Sequence, residues 1–251
     1  MSGGLVISEA SESQCASVSI LLQTGEAHVW EFHLDLPRAE ISSLTASLDQ
    51  AELERARRFH FDRDRNRFIV ARGQLRRILG SYAGAQAKDL KFEYGEFRKP
   101  SLVPAVANVP LHFNLSHSRH KALLAISKDE ELGIDIEYID HQLDWQPVAD
   151  LSFSKSEIDV LRIQTQKAVH QCFFEIWTRK EAYLKARGCG LSEPTNSFSV
   201  LPEPSLDSAW HIYPLQCDPL FRAALAIGRP LDQILDFKAE AVPTDASRLR
   251  L

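Results

Sequence analysis

The sequence lacks an excess of positive charge, which separates it from proteins that bind nucleic acid in bulk. It has 251 residues, with 29 Lys and Arg against 34 Asp and Glu, and a formal net charge of −5. A basic excess normally drives such binding by releasing counterions from phosphates. Hydrophobic residues make up 44% and charged residues 25%, which is ordinary globular usage. We therefore expect one large or two small globular domains that bind no nucleic acid.

Long apolar runs and paired cysteines are also missing. No segment has the roughly 18 uninterrupted apolar residues of a membrane span, and the polar N-terminus lacks the apolar core of a signal peptide. The four cysteines contain no C-x-x-C pair and are too few for a disulfide framework in a chain of this length. These absences predict a reduced, cytoplasmic protein that does not enter a membrane.

Apolar periodicity predicts an α+β fold, with two similar halves as one possible organisation. Strands are expected at residues 29–36, 90–94, 111–115, 121–127, 132–138, 198–201, 210–213 and 223–227. Helices are expected over 43–53, 63–82 and 169–186, and from a capping box near Ser154 onward. Residues 95–110 are expected to form a loop. The predicted halves are 16–127 and 128–230, with tails at 1–15 and 231–251.

The small net charge conceals two opposed segments. Residues 51–80 contain nine arginines and four acids, which gives +5, and residues 128–160 contain ten acids and two lysines, which gives −8. A planar guanidinium can bind phosphate through two donors, so the first segment suggests a polyphosphate ligand. A solvated helix face with local ion pairs is the competing interpretation and, on this segment alone, the favoured one.

The segment 132–138, LGIDIEY, predicts a metal site. Because side chains alternate along a strand, Asp135 and Glu137 share one face. Two neighbouring carboxylates repel each other, and a hard cation such as Mg²⁺ would relieve that repulsion. A solvent-facing strand edge explains the same pattern about equally well.

A second segment, 172–191, predicts a helix in which Glu181 and Lys185 share a face. Glu181 could supply a third acid near the metal, and Lys180 or Lys185 could neutralise phosphate. An ordinary surface pair between Glu181 and Lys185 is the alternative.

A third segment, LHFNLSHS at 111–118, predicts a strand that turns through Ser116, His117 and Ser118. Hydroxyls and amides in such a turn suit phosphate oxygens, and His117 could add a charged contact. The sequence has no P-loop, nucleophile elbow or G-x-G-x-x-G motif.

The order and spacing of four motifs resemble the 4′-phosphopantetheinyl transferases, in particular the larger, monomeric, surfactin-synthetase-activating type. The motifs are FRKP at 97–100, FNLSHS at 113–118, GIDIE at 133–137 and WTRKEAYLK at 177–185. The resemblance covers roughly residues 50–230. It implies a pseudo-dimer of two α+β halves, with coenzyme A bound in the cleft between them.

The resemblance also implies a reaction and its residues. The phosphopantetheine arm of coenzyme A would pass to a serine of an apo acyl, peptidyl or aryl carrier protein, with release of 3′,5′-ADP. Asp135, Glu137 and Glu181 would hold Mg²⁺, Glu181 would also act as base, and Lys185 would stabilise phosphate charge. Contacts to coenzyme A would come from Arg55, Arg67, Lys99, Pro100, Ser116, His117, Lys180 and Lys185. The family receives its carrier near residues 139–153, where Trp145 is a candidate contact, although a buried tryptophan explains that residue at least as well.

Two other functional classes stay open at this point. One is a non-enzymatic module that binds coenzyme A or a carrier protein, which loss of one acid would have favoured. The other is a Mg²⁺-dependent phosphoesterase, which would release free phosphopantetheine without a carrier acceptor.

Overall fold

A computed structural model of the chain describes residues 6–9, 21–97, 99–103, 110–188, 190, 194–201 and 209–239. The helices are α1 Arg38–Thr45, α2 Gln50–Arg57, α3 Asp62–Ala83, α4 Trp145–Ser152, α5 Lys155–Arg162 and α6 Val169–Arg187. The strands are β1 Val6–Glu9, β2 Glu26–His33, β3 Phe92–Tyr94, β4 Pro100–Leu102, β5 His112–Ser118, β6 Lys121–Ser127, β7 Leu132–Tyr138, β8 His211–Leu215, β9 Phe221–Ile227 and β10 Gln233–Lys238. The mixed α+β class is confirmed. In the part of the chain that the structure describes, no helix is both long and apolar enough to cross a membrane.

Local sequence signals explain where the main helices begin and end. Helices α3 and α6 stop at Gly84 and Gly188, whose φ angles of 64° and 63° lie in the left-handed region that glycine tolerates. Helix α5 begins at the predicted capping box, in which Ser154 and Glu157 each bond the backbone amide of the other.

The strands form two main sheets and one short hairpin. The first sheet has the order β1-β10-β2-β6-β5, the second has the order β7-β9-β8, and β3 pairs with β4. Strands β5 and β6 are antiparallel, as are β7 and β9, while β1, β10 and β2 run parallel. Strands β5 and β7 are therefore edge strands of their respective sheets.

The two sheets pack against each other between two layers of helices. Alternate residues of β6 point to opposite sides: Leu124 joins the buried cluster of Leu79 in α3, and Leu123 joins the cluster of Ile134 in β7. Ala224 in β9 faces the other way and packs in the cluster that contains Ala182 of α6. This layering places β7 between the first sheet and helix α6.

The prediction of a tail over residues 231–251 is wrong for its first part. Residues 233–238 form β10, which lies between β1 and β2 with Ile234 buried opposite Ala27. Residues 6–9 of the predicted N-terminal tail form β1, an edge strand beside β10. Residues 1–5 and 10–15 of the first tail, residues 240–251 of the second, and residues 16–20 of the predicted first half lie outside the described residues.

Three smaller predictions also need correction. The helix predicted over 43–53 is two helices, because Asp49 and Glu52 form a capping box that starts α2 at residue 50. The loop predicted over 95–110 contains β4, and helix α4 was not predicted. Residues 198–201 were predicted as a strand and are irregular in the structure.

Candidate active site

Gly133 allows helix α6 to lie directly against strand β7. A Cβ atom at Gly133 would lie 2.8 Å from the carbonyl carbon of Lys185, and nearer still to two other backbone atoms of α6. Because side chains alternate along a strand, Asp135 and Glu137 lie on the same face as Gly133. Both carboxylates therefore face the helix that carries Glu181 and Lys185.

Asp135 is the most buried charged group of this site. It is only 2% exposed, and its Oδ1 accepts hydrogen bonds from Lys185 Nζ at 2.6 Å and Ser116 Oγ at 2.8 Å. Its Oδ2 is buried and has no hydrogen-bond partner among the described residues. The alternative of a solvent-facing strand edge is therefore wrong for Asp135, and the described residues leave the hydrogen-bonding capacity of its Oδ2 unused.

The pKa values of Glu137 and Glu181 are both raised, as expected for carboxylates that lie close together. Burial raises the pKa of Glu137, and the charge of Asp135 raises it further, although the hydroxyl of Ser118 opposes this shift. Burial also raises the pKa of Glu181, with Asp135 adding to the rise and Lys185 opposing it. Lys185 pairs with Asp135, so the expected alternative of a plain surface pair with Glu181 is replaced by a contact between α6 and β7.

These acids do not form a complete metal cage by themselves. Among the residues that the structure describes, no group of three or more His, Cys, Asp or Glu side chains is arranged to hold a metal ion. Any ion bound here would need further ligands from water or from a substrate. Mg²⁺ commonly binds through one or two carboxylates completed by water and phosphate oxygens.

Ser116 and His117 lie within strand β5 and not in the predicted turn. The strand continues to Ser118, and the chain turns at Arg119, whose φ is 56°. The side chain of Ser116 is buried. Its hydroxyl donates a hydrogen bond to Asp135 Oδ1 and accepts one from Lys185 Nζ at 3.1 Å. His117 is exposed, and its pKa is lowered by desolvation first and by the charge of Lys185 second. The turn prediction was wrong because the strand continues to Ser118, three residues beyond Leu115, the last apolar residue of the alternating pattern.

Lys99 connects the β3–β4 hairpin to the second sheet. Its Nζ donates to Glu131 Oε2 at 2.5 Å, to the backbone carbonyl at the start of β7 at 3.0 Å, and to Ala186 O near the end of α6 at 3.4 Å. Pro100, the first residue of β4, is half-buried. Arg98, the other cation of this motif, lies outside the described residues.

Arg67 and Arg55 differ in how they are held. Arg67 makes two hydrogen bonds of 2.7 Å to the carboxylate of Asp35, and its charge contributes to lowering the pKa of His117. Arg55 is exposed on α2, with its guanidinium carbon 5.1 Å from the centre of the Phe68 ring. Arg67 therefore lies near His117, whereas no contact links Arg55 to the acidic strand among the described residues.

Part of the arginine-rich segment has a structural role. Arg76 is fully buried and donates to Glu52 Oε2 at 2.6 Å, while Arg72 donates to Glu52 Oε1 at 2.6 Å. These bonds attach α3 to the start of α2. The two arginines pair with an acid on a neighbouring helix, which neither the phosphate interpretation nor the solvated-face interpretation predicted.

The predicted phosphate contact from Lys180 needs correction. Lys180 is 2% exposed, and its Nζ lies 2.9 Å from Glu157 Oε2. It also donates to the carbonyl oxygens of Thr195 at 2.7 Å and Phe198 at 2.8 Å. Three acceptors surround the ammonium, so Lys180 joins α6 to α5 and to the segment around residue 198.

Ser118, predicted only as part of a phosphate-binding turn, contacts one of the predicted metal ligands. Its Oγ donates to Glu137 Oε2 at 2.7 Å, and both residues line a cavity of about 340 Å³. The aromatic residues Phe173, Phe174 and Trp177 also line this cavity. The polar alternation of Asn114, Ser116 and Ser118 was the available signal, because it places all three on one face of β5.

The chain matches two family models in tandem. Residues 36–129 match the N-terminal model of 4′-phosphopantetheinyl transferase, and residues 131–223 match the 4′-phosphopantetheinyl transferase superfamily. The 4′-phosphopantetheinyl transferase HetI of Nostoc sp. is 37% identical over 218 residues, which cover 83% of this chain and 90% of HetI.

Two Bacillus subtilis proteins are similar over nearly the same length. The 4′-phosphopantetheinyl transferase ffp is 27% identical over 217 residues, and the 4′-phosphopantetheinyl transferase Sfp is 26% identical over 217 residues. Each alignment covers 80% of this chain and 92% of the relative. The two family models together contain every motif on which the resemblance rested, and the chain belongs to the 4′-phosphopantetheinyl transferase family of enzymes.

Proposed function

We propose that the chain transfers the 4′-phosphopantetheine arm of coenzyme A to a serine hydroxyl of an apo carrier protein, in a Mg²⁺-dependent reaction that releases 3′,5′-ADP. The observation that carries this proposal is the buried carboxylate of Asp135, which has one oxygen paired and one without a partner among the described residues. A buried carboxylate oxygen that accepts no hydrogen bond costs free energy unless a ligand compensates it.

The donor set fits a hard divalent cation. Asp135, Glu137 and Glu181 would hold Mg²⁺, which prefers carboxylate, water and phosphate oxygens over nitrogen or sulfur. The raised pKa values of Glu137 and Glu181 arise from burial and mutual repulsion, which a cation would relieve. When bound, the ion would neutralise negative charge on the pyrophosphate.

The side chains would divide the remaining work. Phosphoryl transfer depends mainly on positioning and charge neutralisation, and the ammonium of Lys185 is suited to oppose charge on the phosphates. Glu181 would take the hydroxyl proton of the carrier serine while the serine oxygen bonds to the phosphorus of the phosphopantetheine arm. The bond between that phosphorus and the oxygen of 3′,5′-ADP would break in the same step. The raised pKa of Glu181 suits a base that works near neutral pH.

Coenzyme A would lie between the two halves. Lys99, His117 and Arg67 belong to elements of the first half, whereas the acids belong to β7 and α6 of the second. The ammonium of Lys99 already bonds across the halves, and His117 is exposed with its ring near two cations. We propose that His117 and Arg67 meet the phosphate of the nucleotide end, with Lys99 and Pro100 beside it.

The carrier would approach helix α4 and the cavity next to Glu137. Leu151 on α4 is 77% exposed, and Trp145 begins the same helix. Val148 of the same helix lines the cavity that Glu137 and Ser118 also line. The chain would act as a monomer, since its own two halves supply every proposed group.

The test is intact-mass analysis of a panel of apo carriers incubated with coenzyme A and Mg²⁺. We expect at least one carrier to gain the arm with the wild-type protein, and none to gain it with Asp135→Asn. Modification at the wild-type rate by Asp135→Asn would disprove the metal assignment. Release of free phosphopantetheine without carrier modification would favour a phosphoesterase, and binding of coenzyme A with neither product would favour a binding module.

A further inference from the structure

The edge of the second sheet is completed by side chains of the first. The backbone amides of Ile134, Ile136 and Tyr138 in β7 point away from β9. They donate to the side-chain oxygens of Asn114 at 2.9 Å, Ser116 at 3.4 Å and Ser118 at 3.0 Å. A buried amide left without an acceptor costs free energy, so these bonds matter for the edge strand.

The three bonds form a regular series. Each acceptor lies 20 positions before its donor, and both sets advance by two residues, so β5 runs alongside β7 in fixed register. We call the side chains of Asn114, Ser116 and Ser118 the polar ladder. A one-residue slip of β7 would turn its carboxylates to the opposite face. The polar ladder therefore specifies which face the two acids occupy.

The two serines of the polar ladder also contact those acids. A serine hydroxyl can donate one hydrogen bond while it accepts others. Ser116 Oγ accepts from the Ile136 amide and donates to Asp135, and Ser118 Oγ accepts from the Tyr138 amide and donates to Glu137. The accepted bond fixes each oxygen, so the donated bond holds one carboxylate oxygen in a set direction.

Ser118 offers the cleaner test of this arrangement. Asp135 is held by Lys185 as well as by Ser116, so removal of one hydroxyl leaves another donor in place. Among the described residues, Glu137 accepts a side-chain hydrogen bond from Ser118 alone. A change at Ser118 therefore acts on the orientation of Glu137 without removing a charge.

We propose that Ser118 is a positioning residue, whose hydroxyl orients the Glu137 carboxylate for a divalent cation and secures the Tyr138 amide of the same strand. The proposal rests on the proposed function in so far as Glu137 is a metal ligand there. Groups that orient metal ligands typically change metal affinity by about 10- to 100-fold when they are removed. Ser118 is not among the residues proposed to contact coenzyme A, and it lines the cavity that the carrier would approach.

The experiment compares Ser118→Ala and Ser118→Thr with the wild-type protein. Threonine keeps the hydroxyl and suits a β-strand. Ser42→Ala is the matched control, because the Ser42 hydroxyl is exposed and donates within helix α1, to Arg38 O at 2.9 Å. Mn²⁺ affinity is measured by electron paramagnetic resonance with coenzyme A present, and exchange of the Tyr138 amide is followed by NMR.

We expect Ser118→Ala to weaken Mn²⁺ binding by about tenfold or more and to speed exchange of the Tyr138 amide. For Ser118→Thr, both the Mn²⁺ affinity and the exchange rate of the Tyr138 amide should stay within about threefold of the wild-type values. Ser42→Ala should give wild-type values in both measurements. In carrier modification, Ser118→Ala should need about tenfold more Mg²⁺ for half-maximal rate, with little change in the KM for coenzyme A.

Three results would overturn the proposal. Unchanged Mn²⁺ affinity in Ser118→Ala would do so even if exchange of the Tyr138 amide became faster, because Ser118 would then be structural only. Failure of Ser118→Thr to restore Mn²⁺ affinity would show that the hydroxyl is not the active feature. A wild-type protein that binds no Mn²⁺ would remove the role of Glu137 and of Ser118 together. Failure of the wild type to modify any carrier would disprove the proposed function and leave both physical measurements decisive.

Discussion

Replacement of Gly133 by alanine tests whether close contact between β7 and α6 is what assembles the site. The added methyl group would meet backbone atoms of the helix and not the mobile end of a side chain. One of these, the carbonyl carbon of Lys185, would lie at 2.8 Å, and the backbone oxygen of Ala182 would lie closer still. Because neither backbone can yield locally, the helix must move away from the strand.

The expected cost follows from the size of this overlap. Overpacking of a core by one methylene group typically costs about 1–3 kcal/mol. Here the colliding atoms are backbone, so we expect a loss at or above the upper end, about 3 kcal/mol in the free energy of unfolding. For a chain of this length that corresponds to a Tm lower by about 6–12 °C. The 2.6 Å contact of Lys185 with Asp135 should lengthen as well.

Urea denaturation, thermal unfolding and carrier modification measure these effects. Gly95→Ala is the matched control, because a Cβ at Gly95 would meet only Lys99 O at 3.9 Å, and it should stay within about 0.5 kcal/mol of the wild type. A Gly133→Ala protein whose stability also lies within that margin would refute the argument that contact with α6 requires glycine. A stable Gly133→Ala protein with unchanged transfer activity would show that close contact between β7 and α6 is not needed to assemble the site.

Three further outcomes are expected. Lys180→Met should lower the free energy of unfolding by about 3–5 kcal/mol, because it leaves the fully buried Glu157 carboxylate without its ion partner. The folded fraction of this variant should bind coenzyme A with wild-type affinity in calorimetry. Glu131→Gln should make the free energy of unfolding less dependent on pH in acid. His112 and Lys99 lower the pKa of Glu131 to about 2. The stabilisation that its carboxylate gives the folded protein is therefore complete above its ordinary pKa of 4.5 and is lost as pH falls toward 2. Because Glu131 is half-exposed, the change measured in urea should stay below about 1 kcal/mol. Glu181→Gln should raise the stability of the metal-free protein by about 0.5–2 kcal/mol while it abolishes carrier modification, and a destabilised variant would contradict the crowding of acids.

Local signals predicted the long helices and the acidic strand because the information is carried by neighbouring residues. Gly84 and Gly188 end helices through their own φ preference, and Ser154 starts one through a bond to Glu157 three residues away. The alternation in residues 132–138 is enough by itself to place Asp135 and Glu137 on one face of the strand. The start of α2 was equally local, since Asp49 and Glu52 show the same cap pattern.

Contacts distant in sequence could not be predicted in this way. Strand β10 finds its partner β2 about 200 positions earlier in the chain, so no local pattern distinguishes it from a tail. Lys180 looked like a phosphate ligand because its partner Glu157 lies on another helix. Ser118 resembled a turn residue because the pairing of β5 with β6 continues beyond the apolar positions.

The charge balance of the site argues for a cation as part of its design. Asp135, Glu137 and Glu181 contribute three negative charges when ionised, and Lys185 is the cation paired with Asp135 at 2.6 Å. For Glu137 and Glu181 the folded pKa lies above the ordinary value of 4.5, so the folded protein binds their protons more tightly than the unfolded chain does. Stability therefore falls as pH rises through those folded pKa values, and the full cost is present above them. A divalent cation would cancel the remaining charge, so added Mg²⁺ should raise the Tm more at pH 7 than at pH 5, and equal shifts at both pH values would count against the three acids as its ligands.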